Sequence, residues 1–208
     1  MRILFYADVS ALDLRSPAIP LSAYRQERLQ RVKSPLAKRQ SLGAELLLQQ
    51  ALRVYAPEWK LPPEIAVKED GKPYFPGQEL YFSLSHSESI ALCALSDREI
   101  GADVQQERPY NRNLARRFFT EAEQAYISGV EDPAYAFTQV WALKESYIKA
   151  VGKGLKTPLP SFSVAVDGFS SEGCGDHSFW HCCRDGFHFG VCVKGGSAAP
   201  DFFEKIVL

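Results

Sequence analysis

Two segments of the chain carry apolar residues at the spacing of an α-helix. In residues 41–55 and in residues 136–151, apolar side chains recur every three or four positions and so fall on one helix face. These faces consist of Ala44, Leu47, Leu48, Ala51 and Tyr55 in the first segment, and Val140, Leu143, Tyr147 and Val151 in the second. Pro57 follows the first segment and Gly152 the second, as is typical of helix ends. We therefore predict two long helices.

Shorter segments alternate apolar and polar residues, which is the pattern of a β-strand. The predicted strands are residues 3–9, 81–85, 90–95, 99–104, 162–166, 178–184 and 187–193. Asp185-Gly186 separates the last two and is typical of a β-hairpin turn. Residues 111–128 are predicted as a further helix, with Asn113 or Thr120 as its N-terminal cap. Because strands and helices follow one another without a regular βαβ order, the predicted fold class is α+β.

Composition and charge exclude several classes of protein. The chain has 208 residues, of which 46% are hydrophobic, and this suits a packed core in one large domain or two smaller ones. A formal net charge of −1 gives no overall field that attracts nucleic acid, so we expect no nucleic-acid partner. No apolar run is long enough to cross a bilayer, and the first residues lack the pattern of a signal peptide. The five cysteines show no disulfide pattern, so we expect a cytoplasmic protein without a membrane partner.

The first candidate for chemistry is the segment from Gly101 to Gln105. Because side chains alternate along a strand, Asp103 and Gln105 share one face. Gly101 has no side chain and allows a bulky neighbour to approach closely. A polar strand end after a hairpin is the simpler interpretation, and it stays open from these residues alone.

The second candidate is the predicted helix around Glu145. Trp141, Glu145 and Lys149 are spaced one turn apart and share a face. An exposed Glu–Lys pair is the simpler interpretation, and it would contribute only about 0.3–0.5 kcal/mol to stability. Because the face also carries Trp141 and Ile148, we interpret it as partly buried, with Glu145 and Lys149 in need of a partner.

Two further groups are candidates for binding phosphate. Ser85 and His86 lie at the end of a predicted strand, where a hydroxyl and an imidazole can contact phosphate oxygens. Arg25 and Arg28 precede Ser41 at the start of a predicted helix, and basic groups beside a helix N-terminus favour an anion. A serine-rich turn and a solvated basic face are the simpler interpretations of these two groups.

Together and in this order, the motifs resemble those of the surfactin-type 4′-phosphopantetheinyl transferases. The last motif is the most specific, since its aromatic residue, Lys-Glu pair, second lysine and Gly-Lys-Gly follow in register. The likeness spans residues 71–155 and continues more weakly towards both ends. The matching segments are Gly71-Lys72-Pro73, Phe82-Ser83-Leu84-Ser85-His86-Ser87, Ile100-Gly101-Ala102-Asp103-Val104, residues 115–123 and residues 141–155.

The resemblance implies a fold of two similar α+β halves, a pseudo-two-fold monomer with coenzyme A and the active site in the cleft between them. Weak internal similarities agree with such a repeat, namely residues 82–84 with 162–164 and residues 91–93 with 190–192. We expect residues 1–100 to form an N-terminal half that contacts the 3′-phosphate and adenine of coenzyme A. Residues 101–208 would form a C-terminal half that carries the metal and the catalytic residues.

The resemblance also implies a reaction, in which a carrier-protein serine attacks the pantetheine-linked phosphorus of coenzyme A and adenosine 3′,5′-bisphosphate leaves. Asp103 and Glu145 match metal-binding carboxylates that suit Mg²⁺, with Mn²⁺ as a substitute. Glu145 would also accept the proton of the serine. Lys149 would stabilise the reacting phosphate and the leaving group. These three are the expected catalytic residues.

The resemblance assigns further residues to the metal and to coenzyme A. Gln105 stands where many relatives have glutamate, so we expect it to bind the metal directly or through water, and Glu123 matches an acid near the metal. Eight residues match positions that hold coenzyme A: Arg25, Arg28 and Ser41 at the 3′-phosphate, Lys72 and Pro73 at the adenine, Ser85 and His86 at the phosphates, and Lys144, which would help to position a phosphate or a carboxylate. The expected partners are coenzyme A and an apo acyl or peptidyl carrier protein from fatty acid, polyketide or non-ribosomal peptide synthesis.

Two alternatives stay open at this point. The neutral side chain of Gln105 favours a module that binds coenzyme A or a nucleotide without catalysis, whereas Asp103, Glu145 and Lys149 favour an enzyme. The other alternative is a zinc protein, suggested by the string Cys174, His177, His181 and Cys182. Against it, neighbouring side chains of a predicted hairpin strand point to opposite faces.

Overall fold

The computed structural model describes residues 1–15, 19–164, 166 and 170–208, and these form a mixed α+β protein. The helices are α1 Ala23–Arg31, α2 Pro35–Tyr55, α3 Arg112–Phe118, α4 Glu121–Gly129 and α5 Pro133–Val151. The strands are β1 Arg2–Asp8, β2 Ala66–Val67, β3 Pro73–Tyr74, β4 Tyr81–Ser87, β5 Ile90–Ser96, β6 Ile100–Gln106, β7 His177–Arg184, β8 Phe187–Lys194 and β9 Phe202–Lys205. The α+β class predicted from the sequence is confirmed.

The chain divides into two compact units, Met1–Ile100 with Pro200–Leu208, and Gly101–Ala199. The first unit contains a sheet with strand order β4-β5-β1-β9, in which β4, β5 and β1 are antiparallel neighbours. Helix α2 packs on this sheet, and its buried residues Leu47, Leu48 and Leu52 join Phe5 and Phe82 in one core.

The last strand of the chain does not belong to the half in which the sequence-based division places it. Strand β9 pairs in parallel with β1, with Ile3 opposite Phe202 and Tyr6 opposite Lys205. Residues 200–208 therefore lie in the first unit, whereas we had grouped them with the C-terminal half. The pairing joins segments about 200 residues apart, and no local pattern encodes such a contact.

Helix α2 begins earlier than its apolar pattern indicates. Ser34 caps it, since its side chain accepts a hydrogen bond from the backbone N–H of Ala37, and Pro35 follows at the first helical position. Ser41 is therefore about two turns inside the helix, and the expectation that it stands at a helix start is wrong. The short helix α1, which carries Arg25 and Arg28, was also missed because most of its surface is polar and exposed.

The predicted helix of residues 111–128 is two helices. Asn111 caps α3, and Thr120 caps α4 with a capping box in which Glu123 returns a bond to the Thr120 backbone. Thr120 has an extended backbone (φ −68°, ψ 163°), which interrupts the helix between α3 and α4. Of the two predicted caps, Thr120 is confirmed, but it starts the second helix.

The second unit packs helix α5 on a sheet with strand order β6-β8-β7. The predicted hairpin is confirmed, since β7 and β8 pair in antiparallel fashion around Asp185-Gly186. Gly152, with φ 78°, ends α5 as predicted. In the predicted strand of residues 162–166, Ser163 forms an isolated bridge with Glu172, and residue 165 lies outside the described residues. Within the described part of the chain, no helix is long and apolar enough to cross a membrane.

Candidate active site

The close approach predicted at Gly101 is made by helix α5. A Cβ atom at position 101 would lie 2.0 Å from the backbone oxygen of Ser146 and 2.2 Å from the backbone nitrogen of Ala150. Only glycine fits between this strand and this helix without a shift of backbone. Because side chains alternate along β6, the face that Gly101 turns to α5 also carries Asp103 and Gln105.

Asp103 and Lys149 form the central ion pair of the site. The Nζ atom of Lys149 donates to Oδ1 of Asp103 over 2.6 Å. The side chain of Asp103 is only 3% exposed, whereas that of Lys149 is 30% exposed. The lysine therefore links a buried carboxylate to a surface that solvent and ligands can reach. Asp103 is thus the partner that the sequence predicts Lys149 to need.

Gln105 contacts the same carboxylate from the strand. Its Nε2 atom donates to Oδ2 of Asp103 over 2.7 Å. The amide nitrogen therefore faces Asp103, and in this arrangement the side chain supports the carboxylate as a hydrogen-bond donor. A glutamate at this position would have no proton to donate and would repel Asp103.

Glu145 is half-buried on α5, beside the Asp103–Lys149 pair. Burial raises the pKa of Glu145, and the charge of Asp103 raises it further, while the charge of Lys149 opposes both. Glu145 and Lys149 lie one turn apart on α5, and Lys149 bonds Asp103, so the three side chains share one region of the second unit. The structure thus brings together the three residues that we predicted as catalytic, Asp103, Glu145 and Lys149.

Lys144 and Glu123 do not belong to this group. Lys144 is 1% exposed and Glu123 is 0% exposed, and the Lys144 Nζ atom donates to both Glu123 oxygens over 2.8 and 2.7 Å. The same ammonium donates to the backbone oxygen of Phe162, and the Glu123 carboxylate accepts from the backbone N–H groups of Thr120 and Val164. Because these groups bond each other in the interior, Lys144 positions a carboxylate, which is one of its two expected roles, and it does not hold a phosphate. The assignment of Glu123 as a metal ligand is corrected.

Arg25 and Ser41 meet in the first unit, as the resemblance implied. The Nη1 atom of Arg25 donates to the Ser41 hydroxyl over 2.8 Å, and its Nε atom lies 3.5 Å from Oε2 of Glu45. Arg25 is 3% exposed, and its Nε and Nη2 atoms have no hydrogen-bond acceptor among the described residues. Arg28 is exposed and lies over the ring of Tyr24. Glu45 is a neighbour that the sequence did not single out.

The other predicted coenzyme A contacts are spread over the first unit. Ser85 is buried and His86 exposed, because they are consecutive residues of β4 and point to opposite faces. Their side chains therefore do not form one cluster on the strand. Lys72 and Pro73 are half-buried, Lys72 just before β3 and Pro73 as its first residue. The Lys72 Nζ atom donates to the backbone oxygen of Ile100 over 3.4 Å.

A small pocket of about 110 Å³ lies beside Gln105 in the second unit. Its lining includes Leu114, Phe137, Thr138 and Trp141. Trp141 is predicted to share a face with Glu145, and its ring packs edge-on against Phe118 and at a tilt against Phe119 and Phe137. No local sequence pattern predicts the pocket, because its walls come from β6, α3 and α5.

The zinc string suggested by the sequence does not form a metal site. The thiol of Cys174 donates to the backbone oxygen of Ser163, and His177 contacts the Cys174 carbonyl. A search of the described residues for grouped ligands finds Glu107, Cys183 and His188, whose ligand atoms lie within 4.8 Å of one another. This group contains none of the four residues in the string.

Comparisons with known proteins agree with the motifs. A family model described as the 4′-phosphopantetheinyl transferase superfamily matches residues 99–192. A 4′-phosphopantetheinyl transferase of Bacillus subtilis is 33% identical over 201 residues, which cover 89% of this chain and 86% of the relative. The 4′-phosphopantetheinyl transferase Sfp of Bacillus subtilis strain 168 is 34% identical over 69% of this chain and 66% of its own length.

Among solved structures, holo-[acyl-carrier-protein] synthase of Thermotoga maritima matches 47% of this chain and 64% of its own, with a TM-score of 0.40 and 18% identity. From the sequence relatives, the chain belongs to the 4′-phosphopantetheinyl transferase superfamily. The matched residues 99–192 include Asp103, Glu145 and Lys149. The family recognised from the motifs is thus confirmed.

Proposed function

We propose that the protein transfers the 4′-phosphopantetheine group of coenzyme A to a serine of an apo carrier protein and releases adenosine 3′,5′-bisphosphate. Relatives that cover most of the chain are named as enzymes of this activity, which supports a transferase and gives no support to a module that only binds coenzyme A. The observation that carries the proposal is the cluster of Asp103, Glu145 and Lys149, which combines paired carboxylates with a cation.

Asp103 and Glu145 are proposed to hold a magnesium ion. Their oxygens are hard ligands of the kind Mg²⁺ prefers, and two carboxylates close enough to raise the pKa of Glu145 favour a cation between them. A magnesium ion held there would neutralise negative charge on the diphosphate of coenzyme A. Gln105 is proposed to contact the ion through water, because its amide nitrogen is directed at Asp103. Mn²⁺ is expected to substitute.

Lys149 and Glu145 are proposed to act on the reacting groups. Lys149 has its Nζ atom at the partly exposed end of the site, where it can stabilise charge that develops on the phosphate. Glu145 would accept the proton of the carrier serine, directly or through water. Phosphoryl transfer depends mainly on such positioning and charge stabilisation.

The first unit is proposed to bind the nucleotide end of coenzyme A. The buried Nη2 group of Arg25 has no acceptor among the described residues, and a 3′-phosphate beside Ser41 would supply one. The exposed Arg28 would add a second positive charge. The exposed imidazole of His86 would contact a phosphate oxygen, while Ser85, whose side chain is buried, would contribute through its backbone. Lys72 and Pro73 would lie at the adenine.

The pocket beside Gln105 is proposed to receive the uncharged part of the pantetheine arm. Its walls are mainly apolar, with Leu114, Phe137 and Trp141, and Thr138 supplies a hydroxyl. The expected partners are therefore coenzyme A and an apo acyl or peptidyl carrier protein. We expect the protein to work in the cytoplasm, and as a monomer.

The proposal is tested by incubating the protein with coenzyme A, Mg²⁺ and a panel of apo acyl and peptidyl carriers, followed by mass measurement. At least one carrier is expected to gain a single phosphopantetheine group. The gain should disappear in excess chelator and return when Mg²⁺ replaces the chelator. It should also disappear with Asp103→Asn. Binding of coenzyme A without transfer to any carrier would instead establish the binding module.

A further inference from the structure

Three side chains that take no part in the proposed transfer meet at one end of the second unit. The hairpin register places Cys183 directly opposite His188, so both side chains lie on the same face of the sheet. Glu107 follows the end of β6, and its backbone N–H donates to the Gly186 oxygen over 2.8 Å, which ties this residue to the hairpin turn. The thiol, imidazole and carboxylate ligand atoms lie within 4.8 Å of one another.

From this group we infer that Glu107, Cys183 and His188 form a binding site for a zinc ion. Cysteine sulfur, histidine nitrogen and carboxylate oxygen are the three protein ligand types that zinc uses, whereas magnesium requires oxygen ligands. The site is thus different in chemistry from the Asp103–Glu145 pair. It is also separate in space: Tyr135, whose ring packs on His188, precedes Lys149 by roughly 21 Å along α5.

The geometry needs little adjustment to accept the ion. The Nε2 atom of His188 and Oε2 of Glu107 are 3.2 Å apart, close to the edge of about 3.3 Å in a tetrahedron with zinc bonds of about 2.0 Å. The sulfur of Cys183 lies within 4.8 Å of the ligand atoms of the other two residues, and zinc binding requires it to come within about 3.5 Å of the ligating nitrogen, which is a short side-chain movement. The Glu107 side chain is 37% exposed, and water can therefore supply a fourth ligand.

A second histidine orients the first, as in many metal sites. His188 is 0% exposed, and its Nδ1 atom lies 3.0 Å from Nε2 of His181. The ring of Tyr135 packs edge-on against both imidazoles. A metal-binding histidine commonly donates its other ring N–H to such a partner, which fixes the ring and leaves the ligating nitrogen free. His181 is placed to be that acceptor.

The protons balance if the hydrogen bonds reverse direction. In the metal-free arrangement, Gln139 Nε2 donates to His181, His181 Nε2–H donates to His188, and His188 Nε2–H donates to Glu107, which satisfies each group once. With zinc on His188 Nε2, both imidazoles carry their proton on Nδ1, and the Gln139 amide turns its oxygen to His181. The Tyr126 hydroxyl, which donates to Oε1 of Gln139 in the metal-free arrangement, then accepts from Nε2 of Gln139. Each imidazole stays neutral, and the Cys183 thiol releases one proton as its sulfur binds the ion.

The site is tested by titrating chelator-treated protein with Co²⁺, which replaces zinc and reports thiolate binding as a sulfur-to-cobalt charge-transfer absorption. One equivalent of Co²⁺ is expected to bind with this absorption, Zn²⁺ to displace it, and a large excess of Mg²⁺ to leave it unchanged. Zinc at 100 times its dissociation constant should raise the melting temperature by roughly 5–10 °C.

The matched variants are Cys183→Ser and Cys182→Ser, which change adjacent thiols on opposite faces of β7. Cys183→Ser is expected to lose the charge-transfer absorption and to weaken zinc binding at least 10-fold, while Cys182→Ser behaves as the wild type. If Cys183→Ser does not fold, Glu107→Gln at the exposed corner serves in its place, with the same expected 10-fold weakening.

Absence of one-equivalent binding in the wild type, or equal affinity in both serine variants, would overturn the inference. Transfer activity with Mg²⁺ is expected to persist in Cys183→Ser, so the two proposals fail separately.

Discussion

Two lysines on helix α5 show how much the surroundings of a residue decide its role. Lys144 and Lys149 are five residues apart, which turns their side chains to different sides of the helix. Lys144 is 1% exposed and bonds Glu123, whereas Lys149 is 30% exposed and bonds Asp103. The burial of Lys144 has a signal in the sequence, because it lies one turn after Val140 and one turn before Ile148, both apolar. The family motif by itself leaves open whether Lys144 positions a phosphate or a carboxylate.

Replacing Lys149 with alanine is expected to lower single-turnover transfer by about 10²–10³-fold, because one preorganised charge contact to the developing phosphate charge is lost. The affinity for coenzyme A, measured by calorimetry, should change much less. Lys149→Arg should restore part of the rate, since the guanidinium keeps the charge but is larger and planar. A Lys149→Ala enzyme with normal turnover would mean that this lysine only neutralises Asp103.

Replacing Lys144 with methionine is expected to lower the free energy of unfolding by about 3–5 kcal/mol, because the Glu123 carboxylate is then buried without its cation. The double variant Lys144→Met with Glu123→Leu should recover most of this loss, since no uncompensated charge remains. Urea unfolding measures both. Loss of coenzyme A binding in a fully stable Lys144→Met protein would instead support the phosphate role that the resemblance implied.

At the scale of secondary-structure elements, the sequence predicted what depends on local periodicity. The helix at residues 136–151 and the hairpin of β7 and β8 were found because each has its own apolar pattern and end signals. Helix α1 was missed, because its residues are mostly polar and its position depends on packing against α2. The break at Thr120 was also missed, since a capping threonine inside a helical pattern looks like an ordinary helical residue.

The candidate site was predictable to a similar extent. Strand alternation grouped Asp103 with Gln105, and helical spacing grouped Glu145 with Lys149. The contact between the two groups was not predictable from periodicity, because it depends on how β6 packs on α5. Gly101 was the one local sign of that packing.

Replacing Gly101 with alanine tests this contact between elements. The new methyl group would overlap the α5 backbone at Ser146 and Ala150, so β6 must move away from the helix that carries Glu145 and Lys149. We expect a loss of at least about 1–3 kcal/mol in the free energy of unfolding and a larger relative loss of transfer. Gly129→Ala is the control, because a Cβ there meets no atom within 4 Å. Equal stability of the two variants would show that β6 and α5 are less tightly packed than this geometry requires.

At the scale of the whole molecule, each unit packs one long helix on a sheet: α2 on the sheet of the first unit and α5 on that of the second. The two similar halves and the cleft that the resemblance implies stay a prediction. We propose that the nucleotide end of coenzyme A binds to the first unit and the metal to the second. Removing the metal should therefore stop transfer and leave much of the affinity for coenzyme A.

Gln105→Glu is expected to make the stability of the protein depend more strongly on magnesium. Gln105 now donates a hydrogen bond to Asp103, and a glutamate would place a third negative charge beside Asp103 and Glu145. Without metal, repulsion should lower the melting temperature of the variant below that of the wild type. With Mg²⁺ the added carboxylate becomes a ligand, so the rise in melting temperature should be larger and the Mg²⁺ concentration for half-maximal transfer lower. Because glutamine and glutamate have the same side-chain shape, the comparison with the wild type isolates the effect of the charge. If Mg²⁺ shifts the melting temperature of Gln105→Glu no more than that of the wild type, position 105 does not face the metal. Asp103 would then be the one residue of β6 that binds the ion together with Glu145.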